Sequence, residues 1–78
     1  MISGAQIKAA RALLGESSRE LAVRARVGWA TIKRFEEHGA VPPSRSGTLE
    51  RVQRTLESSG IRFSGDPVRS PGVRLRPG

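Results

Sequence analysis

The sequence predicts a single, mainly α-helical domain of four short helices, followed by an arginine-bearing segment that forms either a short C-terminal β-hairpin or a flexible tail. Three observations predict it. Seventy-eight residues supply one modest core, because a chain this short buries only about 60% of the surface its unfolded form exposes. Apolar residues recur at three- and four-residue spacing in stretches separated by Gly, Ser and Pro, the period of helices with one buried stripe. Beyond Gly60 the pattern turns to alternation with period two, which is the strand signal.

The first helix runs from about Gly4 to Leu14. Ser3 is its N-cap and Gln6 stands three residues on, a capping-box spacing that satisfies two otherwise unpaired N–H groups. Ile7, Ala10 and Leu14 form its apolar stripe, and Gly15 ends it. A second, shorter helix covers about Ser18 to Ala25, with Ser17 as N-cap and Glu20 at the matching position. Leu21 and Ala25 face inward, while Ala22 is small enough to let another helix approach. After a turn at Arg26-Val27-Gly28, the third helix spans about Trp29 to Glu37 with Val27, Ile32 and Phe35 as core contacts. That leaves Trp29, Ala30, Lys33 and Arg34 facing outward.

His38-Gly39 stops the third helix, and Pro42-Pro43 cannot continue it, so a loop extends through Gly47. The fourth helix runs from about Thr48 to Ser59, with Leu49, Val52 and Leu56 on one stripe and Gly60 as its stop. Its stripe closes the core over the first three helices. In the remaining segment, Ile61-Arg62-Phe63 and Val73-Arg74-Leu75-Arg76 alternate apolar and basic side chains. Two such strands pair on the helical core or with the same strands of a second subunit; the alternative is a disordered tail, since isolated hairpins are marginal. Residues 1–60 are thus expected to form the helical unit, and residues 61–78 a basic segment and candidate dimerisation element.

Fourteen Lys and Arg stand against seven Asp and Glu, giving a net charge of +7 and a pI near 11.7. Only Lys8 and Lys33 are lysines. The arginines carry planar forks that suit phosphate oxygens and guanine edges, so the charge points to a polyanionic partner. Residues 19–34 hold Arg19, Arg24, Arg26, Lys33 and Arg34 against Glu20, a local net of +4. A further +3 falls in residues 61–78.

No segment joins an apolar face to a continuous basic one, as a membrane-surface helix would, and no run approaches the roughly 20 apolar residues that span a bilayer. Met1-Ile2-Ser3-Gly4 lacks the charged and apolar regions of a secretion signal, so a cytoplasmic protein without membrane contact is expected. There is no cysteine. His38, the one histidine, reads as a surface or helix-terminating residue, so no transition-metal site has enough ligands. Adjacent Glu36 and Glu37 point to different sides of a helix and are no catalytic pair. Neither an enzyme nor a cofactor is expected, there being no nucleophile–base pairing and no glycine-rich nucleotide loop.

Residues 17–37 form two short helices around a three-residue turn, with Trp, Lys and Arg on the outer face of the second. Helices joined so tightly cross steeply, and the second projects far enough to enter a groove as wide as a helix. Here the sequence resembles the lambda-repressor-like helix-turn-helix family of the Cro/cI or XRE type. IKAARALLGESSRELAVRARVGWATIKRFEEHG carries the resemblance, followed by a Pro-containing loop, a TLERV-type helix and a closing GIRF segment. It covers about residues 4 to 63, and VRLR is similar to the ending of a sub-group of compact members. Leu21-Ala22, Ala25, Val27, Ile32 and Phe35 match the family's core in order and spacing, and Arg11 and Glu36 match a partly buried ion pair.

The resemblance implies a DNA-binding transcriptional regulator of bacterial or phage type, associated with the nucleoid and acting without catalysis. Trp29, Ala30, Lys33 and Arg34 would contact bases; Ser17, Ser18, Arg19, Arg26, Gly28, Thr31 and Arg45 would contact phosphates. Double-stranded DNA and a homodimer on a two-fold site, half-sites one helical turn apart, are the implied partners. Three residues depart from the family pattern. Arg26 stands where Gly is common, Gly28 where Ser or Thr caps the helix, and Ser18 where Gln often braces the DNA backbone. Trp29 has a second reading, in which its ring folds back on the protein. Two other functions stay open: an antitoxin or adaptor that uses Trp29 or the C-terminal segment to bind a protein, and a non-specific nucleic-acid packaging protein.

Overall fold

A computed structural model describes residues 1–44 and 47–76. It contains four helices, α1 (Gly4–Leu14), α2 (Ser18–Ala25), α3 (Trp29–His38) and α4 (Thr48–Ser58), then two strands, β1 (Ile61–Ser64) and β2 (Gly72–Leu75). The strands pair antiparallel as a two-stranded sheet, with Ile61 opposite Leu75, Arg62 opposite Arg74, Phe63 opposite Val73 and Ser64 opposite Gly72. The C-terminal segment is therefore a hairpin through Leu75, not a tail.

Both serine caps close as capping boxes. Gln6 N–H donates to Ser3 Oγ (3.2 Å) while Ser3 N–H donates to Gln6 Oε1 (3.0 Å). Ser17 and Glu20 repeat the arrangement at 3.0 and 2.8 Å. The bond from Ser17 N–H to its carboxylate favours the ionised form of Glu20 and holds its carboxyl below the usual range. By contrast, α3 starts at Gly28 with no side-chain cap bond.

Ile7 and Ala10 of α1, Leu21, Ala22 and Ala25 of α2, Ile32 and Phe35 of α3, and Leu49, Val52 and Leu56 of α4 form the core, each buried. Ile2 and Ile61 join them from outside the helices, and Leu14, Val27, Phe63 and Val73 pack on the margin. Burying this apolar area is the main favourable term in folding.

Gly4 brings α1 directly against α3. A Cβ there would lie 2.0 Å from the Phe35 carbonyl oxygen, so only glycine fits. The Gly4 N–H also donates to the Ala40 carbonyl (2.9 Å), beyond the end of α3. On α1, Arg11 lies seven residues on and on the same line, and it too reaches α3. Gln6 is two residues from Gly4, about 200° round the helix, and its amide donates to the carbonyls of Ser64 (3.3 Å) and Gly72 (3.1 Å). Consequently α3 and the hairpin pack on opposite sides of α1.

Some boundaries differ from the sequence expectation by one residue. β1 includes Ser64 and β2 begins at Gly72. Neither residue has an apolar side chain to mark the alternation, yet the two face each other at the end of the ladder. At the other end Arg76 lies beyond β2, although its N–H still donates to the Gly60 carbonyl (2.8 Å). α3 is longer by His38 and α4 ends at Ser58 rather than Ser59.

Candidate nucleic-acid interface

The turn between α2 and α3 depends on one unusual residue. Arg26 adopts the left-handed conformation (φ 58°, ψ 45°), alone among the described non-glycine residues in having positive φ. That conformation lets Arg26 N–H reach the Val23 carbonyl (3.2 Å) and Val27 N–H reach the Ala22 carbonyl (3.0 Å), closing the last turn of α2. A side chain here costs on the order of 1 kcal/mol relative to glycine. Arg51, from α4, donates to the Arg26 carbonyl at 3.3 Å. It thereby adds a cation to the turn that the sequence pattern did not indicate.

Trp29, the first residue of α3, folds against α2. Its Nε1–H donates to Ser18 Oγ (2.9 Å), and the Arg19 guanidinium carbon sits 3.8 Å from the ring centroid. Lys33, one turn further along α3, places its Nζ 4.6 Å from the same centroid. Two cations are thus drawn to one π-face system. The indole stays 37% exposed, so the cluster is part of the surface.

Two turns along α3 from Trp29, on the same edge, Glu36 ties the helix to α1. Arg11 Nε and Nη2 donate to the two carboxylate oxygens of Glu36 at 2.6 and 2.8 Å, and Arg11 Nη1 donates to the Glu16 carbonyl at 2.9 Å. The side chains are only 17% and 11% exposed. Hydrogen bonding to Glu36 raises the Arg11 pKa further, outweighing the opposing effect of burial. This fork-to-fork geometry fixes the roll of α3 as well as its position.

A second pair involves Arg24, whose Nε and Nη2 donate to both Glu16 carboxylate oxygens (2.6 and 3.1 Å) while Nη1 donates to Ser59 Oγ (2.8 Å). Arg24 is therefore engaged in holding α2 to its neighbours. Its Glu16 partner lies just outside the 19–34 window, which is why the local charge count overstated the available cations. Arg19, Arg26, Lys33 and Arg34 remain, with no carboxylate within 4.0 Å among the described residues.

The other sequence candidates spread around this face. Ser17 caps α2 at the surface, Gly28 and Ala30 are exposed, and Thr31 is half-buried. Thr31 and Arg34 line a shallow groove with Pro43, Ser44 and Thr48, while Lys33 borders another with Lys8, Ser18, Trp29, Glu36 and Glu37. Arg45 lies outside the described residues. Among the described residues, no group of His, Cys, Asp or Glu could hold a metal ion, and no helix is long and apolar enough to cross a membrane.

These features define a small, mainly helical domain with four helices and a two-stranded antiparallel sheet. In comparison with known proteins, no family model matches the chain and no curated protein matches it.

Proposed function

We propose that this protein is a sequence-specific, double-stranded-DNA-binding transcriptional regulator of the lambda-repressor-like helix-turn-helix type. The observation that carries the reading is the α2–turn–α3 unit. A tight turn ends in a helix that is pinned to α1 by the Arg11–Glu36 pair and carries, further round its surface, Lys33 and Arg34 with no carboxylate within 4.0 Å among the described residues. Such a helix suits the major groove, where guanidinium and ammonium groups meet guanine edges and the thymine methyl accepts apolar contact.

In this reading Trp29, Ala30, Lys33 and Arg34 face the bases. Ser17, Ser18, Arg19, Arg26, Gly28 and Thr31 lie where α2 and the turn meet the phosphates, with Arg45 as a further contact. Phosphate contacts supply most of the affinity and make it fall steeply with salt. The Trp29 cluster holds Arg19 and Lys33 before DNA arrives, which lowers the ordering cost of using them. One short helix buries too little for a selective complex, so a homodimer on a two-fold site completes the assembly. Repression follows from occupying the site.

Selection of bound sequences from random duplex DNA, with sedimentation to give the oligomeric state, tests the proposal. A palindromic consensus and a dimer support it. A protein that enriches no sequence is no such regulator.

A further inference from the structure

The hairpin carries a second cationic surface. Residues opposite each other in an antiparallel pair share a face, so the register puts Ile61, Leu75, Phe63 and Val73 on one side and Arg62 and Arg74 on the other. Ile61 is buried and Phe63 and Val73 pack on the core, which turns the arginine side outward. Arg76, two residues beyond Arg74 and bonded through its N–H to Gly60, continues that outer row.

Arg62 and Arg74 are direct cross-strand neighbours, an arrangement in which like charges destabilise a hairpin. No ion pair relieves it: among the described residues, none of Arg62, Arg74 and Arg76 has a carboxylate within 4.0 Å. Glu57 is the one acid bordering the shallow depression beside Arg62 and Arg76, and its carboxylate accepts from the Gln53 amide (3.2 Å). Three guanidinium groups, two on the paired strands and Arg76 just beyond β2, therefore face solvent, in a domain small enough for the repulsion to matter.

We infer that the outer face of the hairpin, built from Arg62, Arg74 and Arg76, is a second nucleic-acid site that binds the phosphodiester backbone without reading sequence. Each planar fork can hold phosphate oxygens with paired hydrogen bonds, and an anion between Arg62 and Arg74 turns their repulsion into binding energy. The site is distinct from α3. Hairpin and α3 pack on opposite sides of α1, in a molecule measuring 29 × 26 × 19 Å. The two cationic surfaces stand on different elements, and in this inference each holds its own DNA segment. This inference shares with the proposed function only the class of ligand.

The test uses the full chain and random-sequence duplexes, with Arg62→Gln/Arg74→Gln/Arg76→Gln compared with Lys33→Gln/Arg34→Gln. The hairpin triple variant is expected to flatten the dependence of log affinity on log salt by about two to three, at roughly 0.9 for each phosphate no longer neutralised. It is also expected to stop immobilised duplex from capturing a second, fluorescent duplex through the protein. Its melting temperature should equal or exceed that of the parent at low salt, since the repulsion is gone.

An unchanged salt slope and undiminished capture overturn the inference. A lowered melting temperature does the same, because it shows that the arginines hold the hairpin together. Polyglutamate of matched charge displacing duplex from the Lys33→Gln/Arg34→Gln protein as well as duplex itself does would make the face a site for acidic protein, and also overturns it. Should Lys33→Gln/Arg34→Gln bind DNA like the parent while the triple variant does not, the α3 reading fails and the hairpin site stands.

Discussion

The side of α3 that faces α1 is fixed by backbone contact and a paired charge, whereas further round the helix Lys33 and Arg34 have no carboxylate within 4.0 Å among the described residues, although Glu37 borders the same groove as Lys33. On the inner side, Gly4 touches the Phe35 carbonyl and Arg11 grips Glu36 with two short bonds. At the exposed surface, Arg19 and Lys33 gather on Trp29, and Arg34 lies along a separate shallow groove. Charge is thus treated in two ways within one helix. Where it is satisfied it positions the helix; where it is left open it is available to a ligand.

Breaking the inner side should give the largest effects. Gly4→Ala forces a Cβ into the Phe35 carbonyl and should cost at least about 3 kcal/mol, a large part of the roughly 4–12 kcal/mol expected for a domain of this length. Thermal melting followed by circular dichroism should show a fall of more than about 12 °C; a fall of a degree or two would mean that α1 can back away freely. Arg11→Ala should follow, at about 2–3 kcal/mol, somewhat less than for a fully buried pair because water reaches both partners. Removing the arginine leaves the Glu36 carboxylate half-buried without its fork. Urea denaturation measures the loss, and Arg11→Lys should recover only part of it, since an ammonium cannot make both parallel bonds.

The turn allows a subtler separation of the two sides. Arg26→Gly relieves the left-handed side chain and should raise stability by about 0.5–1 kcal/mol, while removing one outer cation. Melting temperature should rise as the salt slope of DNA binding falls by about 0.9. If the melting temperature dropped, the strain assigned to φ 58° would be wrong. The smallest effect concerns the α2 cap. Glu20 has a lowered folded pKa, so its contribution is present above the unfolded carboxylate value of about 4.3 and is lost as pH falls through the folded value. Glutamine at this position keeps the cap bond but cannot titrate. Between about pH 5 and pH 3 the parent should lose melting temperature slightly faster than Glu20→Gln; parallel curves would show that the cap charge contributes nothing.

The helices were legible because each has local causes: two serine capping boxes, periodic Leu, Ile and Val, and glycine or proline at the ends. The hairpin was legible only as alternation, since what seats it is the Gln6 amide on Ser64 and Gly72, a link across more than fifty residues that no local pattern announces. Gly4 looked like an ordinary first helical residue, because close approach depends on where α3 lies. Ile2 and Ile61 were absent from the expected core for the same reason: burial of a residue beside a helix is decided by its neighbours in space. At the candidate interface, the outward set Trp29, Ala30, Lys33 and Arg34 followed from periodicity once Ile32 and Phe35 were placed inward. Three things did not follow: the indole bond to Ser18, the withdrawal of Arg24 by Glu16, and the arrival of Arg51 at the turn. All three join separate elements.

The most direct test of the central claim compares affinities for a selected duplex and a scrambled duplex across a salt series, for the parent and for Lys33→Gln/Arg34→Gln. The parent should prefer the selected site by about a thousandfold or more, as specific DNA readers do. The variant should lose most of that preference while keeping its fold and a weaker, salt-dependent binding to both duplexes. Equal affinities of the parent for both duplexes at every salt concentration would contradict the claim that the outer face of α3 reads sequence.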